Sequence, residues 1–326
     1  MDIIIDLHRL ENETDFEWKL RCCLAKKRKE TDMDWIEIRD MLGLNITPDQ
    51  LRKQAVGYEE YDNYIHGYQG VATTILSVSD LHYPFAKPLD IFREFSGKID
   101  ILQLNGDLVD CMALSRFSKL YRVSPLEEMI GARQYIIDLI EMIKPKKVLV
   151  NHGNHELRLG SYLAKNLDNE LQELMPETAL DYIFIDGFTH YDRKTKAKVK
   201  YSPLCDVFDD IEIKYTGTWY SQYKDVLFCH PKAFASSPLK TAEKALYWFR
   251  NEGFEFKTLI MSHTHRVGSY KIGNSMIYEQ GCYCETSKMR YNDGRLINSQ
   301  KEGFMIICLD KEGHVIEGKT HIKTLN

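Results

Sequence analysis

At 326 residues, with 44% hydrophobic and 28% charged residues, the chain has the make-up of a soluble globular protein, long enough for one large domain and a small one. The net charge of −5 argues against a broad surface that coats nucleic acid, although a local basic patch remains compatible with it. No apolar run reaches the length of a membrane span, the acidic Met1-Asp2 start opens no secretory signal, and eight cysteines without a C-x-x-C motif read as reduced, buried thiols of a cytoplasmic protein.

Residues 1–68 form a helical module. The spacing of Phe16, Leu20, Cys23 and Leu24 predicts one helix, and that of Trp35, Ile38 and Leu42 a second, which Gly43 can end. Thr47-Pro48-Asp49-Gln50 then offers an N-cap, a proline at the first helical position and a capping-box glutamine. A third helix should run from Pro48 through about Tyr64, with Leu51, Ala55 and Tyr58 inward. Two helices joined by a short glycine-containing turn are similar to a helix-turn-helix, which would bring nucleic acid as a partner. A small dock for a protein partner or a second subunit fits the same residues, because fold does not fix function. The Lys26-Lys27-Arg28-Lys29 run reads as a solvated helix end, its field weakened by Glu30, Asp32 and Asp34.

Residues 69–326 alternate strands with helices. Five short runs rich in Val, Ile and Leu each end in residues that bind metals. Thr73–Ser79 leads to Asp80-Leu81-His82, and Ile99–Leu104 to Gly106-Asp107-Leu108-Val109-Asp110. Lys147–Val150 leads to Gly153-Asn154-His155-Glu156, Val226–Cys229 to His230, and Phe256–Met261 to His263-Thr264-His265. Ligands of open α/β sheets collect beyond the carboxyl ends of the strands, so five strand ends are expected to converge on one site. Helices are predicted over Leu126–Ile143, Leu157–Leu174 and Leu239–Arg250. Tyr182 to Tyr223 reads as an insertion near the rim, with a hairpin around Asp209–Lys214. The last strands, Ser275–Tyr278, Gly303–Cys308 and His314–Glu317, are separated by the turn signals Asn292-Asp293-Gly294 and Lys311-Glu312-Gly313 and should finish a second sheet. Imidazole, carboxylate and amide oxygen together suit Mn²⁺, Fe or Zn²⁺ rather than an all-oxygen Ca²⁺ cage.

In order along the chain, these motifs resemble the signature of the calcineurin-like metallophosphoesterase superfamily: D-x-H, G-D-x-x-D, G-N-H-[DE], a lone His and G-H-x-H. Ser262 stands where glycine usually opens the last motif. G-N-H-E alone should arise by chance at about one position in a hundred thousand. The resemblance implies an α/β fold in which two mixed β-sheets pack as a sandwich flanked by helices. It implies that Asp80, His82 and His265 hold one divalent ion, that Asn154, His230 and His263 hold another, and that Asp107 bridges them, with Mn²⁺ the first expectation. A hydroxide shared by the ions would attack a phosphate ester in line, and the ions would neutralise charge on the phosphoryl oxygens.

His155, next to a ligand but not counted among them, is then the best general acid for the leaving group. Asp110 is its natural partner by the family pairing; taken alone, it reads as a strand-end hydrogen bond to backbone. Arg158 fits either a phosphate oxygen or a helix-face salt bridge. His152 should pack or hydrogen-bond rather than bind metal. Cys111 and Met112 follow Asp110 where protein phosphatases of the superfamily carry an arginine, which favours the phosphodiesterase and nuclease branches. A helix-turn-helix-like module before such a core resembles phage and prophage metallophosphoesterases, which would work in the host cytoplasm. The first expectation is therefore a two-metal phosphodiesterase acting on nucleic acid or nucleotides. A phosphomonoesterase with a docking module comes second. A DNA-binding or assembly protein with a structural metal site comes third, and the acid-competent His155 argues against it.

Overall fold

The computed structural model describes residues 7–11, 13–66, 70–115, 123–193, 195–289 and 299–325. The chain divides into two compact units, Met1–Gly70 and Val71–Asn326.

The first unit holds three helices, α1 (Asp15–Lys27), α2 (Trp35–Met41) and α3 (Pro48–His66). Thr14 with Glu17, and Asp34 with Glu37, close the starts of α1 and α2 as capping boxes. Thr47 and Gln50 do the same for α3, where the Thr47 N–H donates to Gln50 Oε1 (2.8 Å) and the Gln50 N–H to Thr47 Oγ1 (3.2 Å). Cys22, Cys23, Ala25, Ile38, Leu51 and Ala55 form the core of the unit. Phe16 is 47% exposed and lies edge-on against Tyr58 and Tyr61. The small Cys and Ala side chains make the close helix contact instead.

In the second unit, a six-stranded sheet runs in the order β13-β12-β1-β2-β3-β6. Its members are β1 (Thr73–Val78), β2 (Ile101–Asn105), β3 (Lys147–Asn151), β6 (Glu212–Tyr215), β12 (Glu302–Leu309) and β13 (His321–Leu325). A five-stranded sheet runs β10-β11-β9-β8-β7. It contains β7 (Tyr220–Tyr223), β8 (Val226–Cys229), β9 (Thr258–Met261), β10 (Val267–Ile272) and β11 (Ser275–Gln280). Both sheets mix parallel and antiparallel pairs. Side chains alternate along each strand, so every strand feeds two layers. Ile75, Ile101, Leu149, Phe228, Ile260 and Ile307 meet between the sheets. Their neighbours Leu76, Leu102, Val148 and Val150 face α4 (Pro125–Ile143), while Leu227, Leu259 and Met261 face the helix Lys240–Asn251. This is the expected sandwich flanked by helices. Among the described residues no helix is long and apolar enough to cross a membrane.

Several elements depart from expectation. Helix α5 ends at Asn166 (Leu157–Asn166), because Leu167 turns extended and Asp168 accepts from the Glu170 N–H at the start of a new short helix. The hairpin of the insertion is β4 (Phe188–Asp192) with β5 (Ala197–Tyr201), whereas Glu212–Tyr215 pairs parallel with β3. Of the last strands, only Ser275–Gln280 joins the second sheet; β12 returns to pair antiparallel with β1 in the first. Beyond β12, His321–Leu325 is the strand, and from 314–317 only Val315 makes a bridge. The Asn292-Asp293-Gly294 turn lies outside the described residues.

Candidate metal centre

The inter-sheet layer changes character along its strands. On the inward face Ile75 is followed by Ser77 and Ser79, Ile101 by Gln103 and Asn105, Leu149 by Asn151, and Ile260 by Ser262, all buried. These polar side chains satisfy one another. Gln103 donates to Asn151 Oδ1 (2.7 Å), Asn151 to Asn105 Oδ1 (2.9 Å), and Asn105 to Ser262 Oγ (2.7 Å). Ser77 donates to Gln280 Oε1, Gln280 to Ser79 Oγ, and Ser79 to Asp80 Oδ2, each at 2.7 Å. The serine at position 262 thus accepts a hydrogen bond that glycine could not. The alternation that makes the runs read as strands conceals this network in the sequence.

Just beyond that layer, the loops bring the five motifs together. Asp80, His82, Asp107, His263 and His265 all have positive φ, between 46° and 83°. Each such residue costs on the order of 1–3 kcal/mol and persists only where its surroundings fix it. Glu156 supplies part of that fixing. Its buried carboxylate accepts from the backbone N–H groups of Asp107 (3.1 Å), Leu108 (2.5 Å), Val109 (3.0 Å) and Gly153 (2.8 Å). Burial, then the nearby Asp107, pushes the Glu156 carboxyl up to about 7, and the backbone donors pull it back towards the ionised form. Two glycines are required here. A Cβ on Gly153 would collide with the Asp107 carboxylate and stand 2.5 Å from its backbone nitrogen; one on Gly106, whose φ is +80°, would stand 2.6 Å from His230 Nδ1.

The candidate ligand atoms fall into two groups. In the first, His265 Nε2 lies 3.1 Å from Asp80 Oδ1 and 3.2 Å from His82 Nε2, and His82 Nε2 lies 3.7 Å from Asp80 Oδ1. In the second, Asp107, His230 and His263 offer atoms within 4.8 Å of one another, with His230 Nε2 at 3.2 Å from Asp107 Oδ2. Asp107 Oδ2 is also 3.7 Å from His82 Nε2, which places this carboxylate between the groups.

Two tests favour metal. Donors bound about 2.0–2.1 Å from one ion, at right-angle to tetrahedral spacing, stand about 2.8–3.4 Å apart; the closest pairs above fall in that range. In addition, the buried atoms Asn154 Oδ1 and His263 Nε2 have no hydrogen-bond partner among the described residues, and the buried His230 Nε2 meets only carboxylate oxygens, the nearer on Asp107 at 3.2 Å. Buried polar atoms are ordinarily satisfied, so two such atoms beside a shared carboxylate fit a cation. The outer nitrogens agree. His230 Nδ1–H donates to Asn105 O (2.8 Å), and His82 Nδ1 faces Asp110 Oδ1 (3.3 Å), which turns each Nε2 inward.

Electrostatics follow the same division. Burial opposes ionisation of Asp80, but His230 and His265 hold its carboxyl well below the usual range. Burial likewise opposes ionisation of Asp107, and His155 and His230 outweigh it. Against burial, Asp110 and Asp80 raise His82 to about 9, and Asp107 and Asp80 raise His230 to about 9. Burial, then His230, lowers His263 to about 3.

The profile of the calcineurin-like phosphoesterases matches residues 73–267, well over half of the chain. The chain belongs to the calcineurin-like phosphoesterase family. It is a hydrolase of phosphate esters, in a family whose members depend on two metal ions. Solved structures similar to this phosphoesterase include vacuolar protein sorting 29 of Cryptosporidium parvum (15% identity, 78% of this chain and 97% of that one, TM-score 0.39). Others are Vps29 of Entamoeba histolytica with Zn²⁺ (11%, 78% and 98%, 0.38) and an archaeal phosphodiesterase (15%, 78% and 100%, 0.33). These likenesses are distant, and nothing about the activity follows from them. No curated protein matches the chain.

The remaining predicted residues lie beside the two groups. His155 Nδ1 is 2.9 Å from Asp110 Oδ1 and 3.0 Å from its carbonyl oxygen, and His155 Nε2 is 3.8 Å from Asp107 Oδ2. Burial holds His155 below its ordinary value, with Asp107 pulling against it. Arg158 donates to Asp110 O (2.6 Å) and places Nη2 2.9 Å from His155 Nε2. His152 belongs to neither group and donates from Nδ1 to Gly153 O (3.2 Å). Residues that motif reading leaves without a role include Gln300, whose amide meets His265 Nδ1 at 2.9 Å, and Glu128, which accepts from the Met112 N–H at 3.1 Å. Cys282 and Cys284 also lie within ligand distance of His265.

Proposed function

We propose that this phosphoesterase is a two-ion phosphodiesterase that cleaves nucleic acid or nucleotides, with Asp80, His82 and His265 holding one ion, Asn154, His230 and His263 the other, and Asp107 shared. The observation that carries this reading is the pair of unpartnered buried atoms on Asn154 and His263 next to His230 and the shared Asp107, beside the Asp80, His82 and His265 group whose donors are already spaced for an ion. Two divalent ions there, Mn²⁺ first among them, would supply an activated water and charge neutralisation for the phosphoryl oxygens.

His155 acts on the leaving group. Its Nδ1–H is fixed by Asp110, which orients the ring and stabilises the imidazolium. Its Nε2 accepts from Arg158 in the structure, where burial disfavours the imidazolium, so Nε2 must first take up a proton from solvent once Arg158 moves off, and that proton is the one given to the departing alkoxide. Arg158 now occupies the space before Nε2, so proton delivery requires its guanidinium to move away, and an arriving phosphate oxygen is the natural acceptor for it.

Support for a polynucleotide comes from the helical unit. Lys26, Lys27, Lys29, Arg52 and Lys53 line one groove there with Trp35, and Lys26 and Lys29 have no ion pair among the described residues. Such a groove suits a phosphate backbone, and its binding should weaken with salt as counterions are released.

The test is hydrolysis with Mn²⁺ of bis-p-nitrophenyl phosphate, p-nitrophenyl phosphate, cyclic nucleotides, and single- and double-stranded DNA. The reading predicts cleavage of the diesters and of at least one nucleic acid. Turnover of the monoester alone would make the protein a phosphomonoesterase.

A further inference from the structure

A cavity of about 480 Å³ opens beside the second ligand group, in the size range of small-molecule sites. Asn154 and His230 form one of its walls, so whatever fills it touches the proposed reaction centre. Trp219 and Trp248 form another, with ring centroids 5.2 Å apart and planes inclined by 52°. Trp248 is 43% exposed although indole rings are usually largely buried, so much of its ring remains available to a ligand. The charged side chains of the lining are Lys232 and Lys244, both exposed and neither in an ion pair among the described residues.

We propose that this cavity seats the unpaired base of the nucleotide adjoining the scissile phosphate, with the base stacked on Trp248 and a further phosphate held by Lys232 and Lys244. The inference rests on the phosphodiester reading above and specifies its substrate. An indole face beside an apolar cavity takes a flat ring, and stacking of this kind accepts any base. Two lysines beyond the ligand groups match a substrate with more than one phosphate, which a phosphotyrosine side chain lacks. A base held in a duplex does not present its face, so single strands and nucleotides are the fitting class.

The test is calorimetric binding to the full chain in Mn²⁺, with dAMP, ribose 5-phosphate and O-phosphotyrosine as probes. dAMP should bind more tightly than ribose 5-phosphate by about 5- to 150-fold, the range set by one base stacked on an aromatic ring. Trp248→Ala should remove most of that advantage while leaving ribose 5-phosphate affinity unchanged, and Trp248→Phe should keep part of it. Lys232→Ala with Lys244→Ala should erase any preference for dADP over dAMP. Equal affinities for dAMP and ribose 5-phosphate, an advantage that survives Trp248→Ala, or tighter O-phosphotyrosine binding would each overturn the proposal. Bis-p-nitrophenyl phosphate hydrolysis, measured separately, reports whether the diesterase reading itself stands.

Discussion

The two ligand groups differ in kind. Asp80, His82 and His265 contain a carboxylate of their own, lie 3.1–3.7 Å from one another, and are backed by Ser79, Gln280, Gln300 and Asp110. Asn154, His230 and His263 are neutral donors that rely on the shared Asp107 for negative charge, and Asn154 and His230 line the open cavity. Ligand charge and rigidity set cation affinity. On the proposed assignment, the first group should retain its ion and the second should hold its ion more loosely.

The largest expected effect comes from the carboxylate that joins the groups. Asp107→Asn should reduce hydrolysis by more than the 10–100-fold typical of residues that only orient a ligand, roughly 10³-fold or more. The fold should persist, because the backbone contacts of residue 107 with Glu156 remain. Metal analysis should then show at most one ion per chain; two ions with full activity would remove Asp107 from its bridging place.

His155→Ala should spare both groups, since Asn154 is the proposed donor from that motif. Hydrolysis of DNA, whose leaving alkoxide needs a proton, should slow by about 10²–10⁴-fold, with a much smaller loss on p-nitrophenyl esters. Asp110→Asn should give a weaker version of the same pattern. Equal losses on both ester types would place His155 on the attacking side, and loss of a metal would make it a ligand.

Much of this was legible in the sequence. The strand runs, their metal-binding ends and the sandwich follow from period-two hydrophobicity and the order of motifs. The polar half of the inter-sheet layer was not, because Gln103, Asn105, Asn151 and Ser262 become mutual partners only when two sheets face each other. The role of Glu156 was hidden similarly: its partners are backbone N–H groups, which carry no sequence signal. The misplaced hairpin and final strand share a cause, since local turn residues do not reveal which sheet a strand joins.

Glu156→Gln sharpens the comparison, because Glu156 holds the backbone of the shared Asp107 and also that of Gly153 next to Asn154, so its loss should weigh more on the second group than on the first. An activity loss of about 10–100-fold is expected, with binding of the second ion weakened more than binding of the first. Equal weakening of both ions would deny the groups separate support.

A smaller effect concerns protons. In the ion-free protein His82 and His230 titrate at about 9, so both are protonated at neutral pH. Their charge stabilises the ion-free fold below the ordinary histidine value, and that contribution is lost as pH rises through about 9. Ions bound at the Nε2 atoms of these two, and of His265, which against burial Cys282 and Asp80 also hold well above its ordinary value, expel these protons, so binding at pH 7 should release about three per chain. Calorimetry in buffers of different ionisation enthalpy measures this, and apparent affinity should rise from pH 7 to 9. Binding independent of pH would mean that these imidazoles do not meet the ions.

The most direct measurement is anomalous diffraction from crystals of the full chain grown with Mn²⁺. The account predicts two peaks that both touch Asp107, one completed by Asp80, His82 and His265, the other by Asn154, His230 and His263. A single peak, or ions bound away from Asp107, would contradict it.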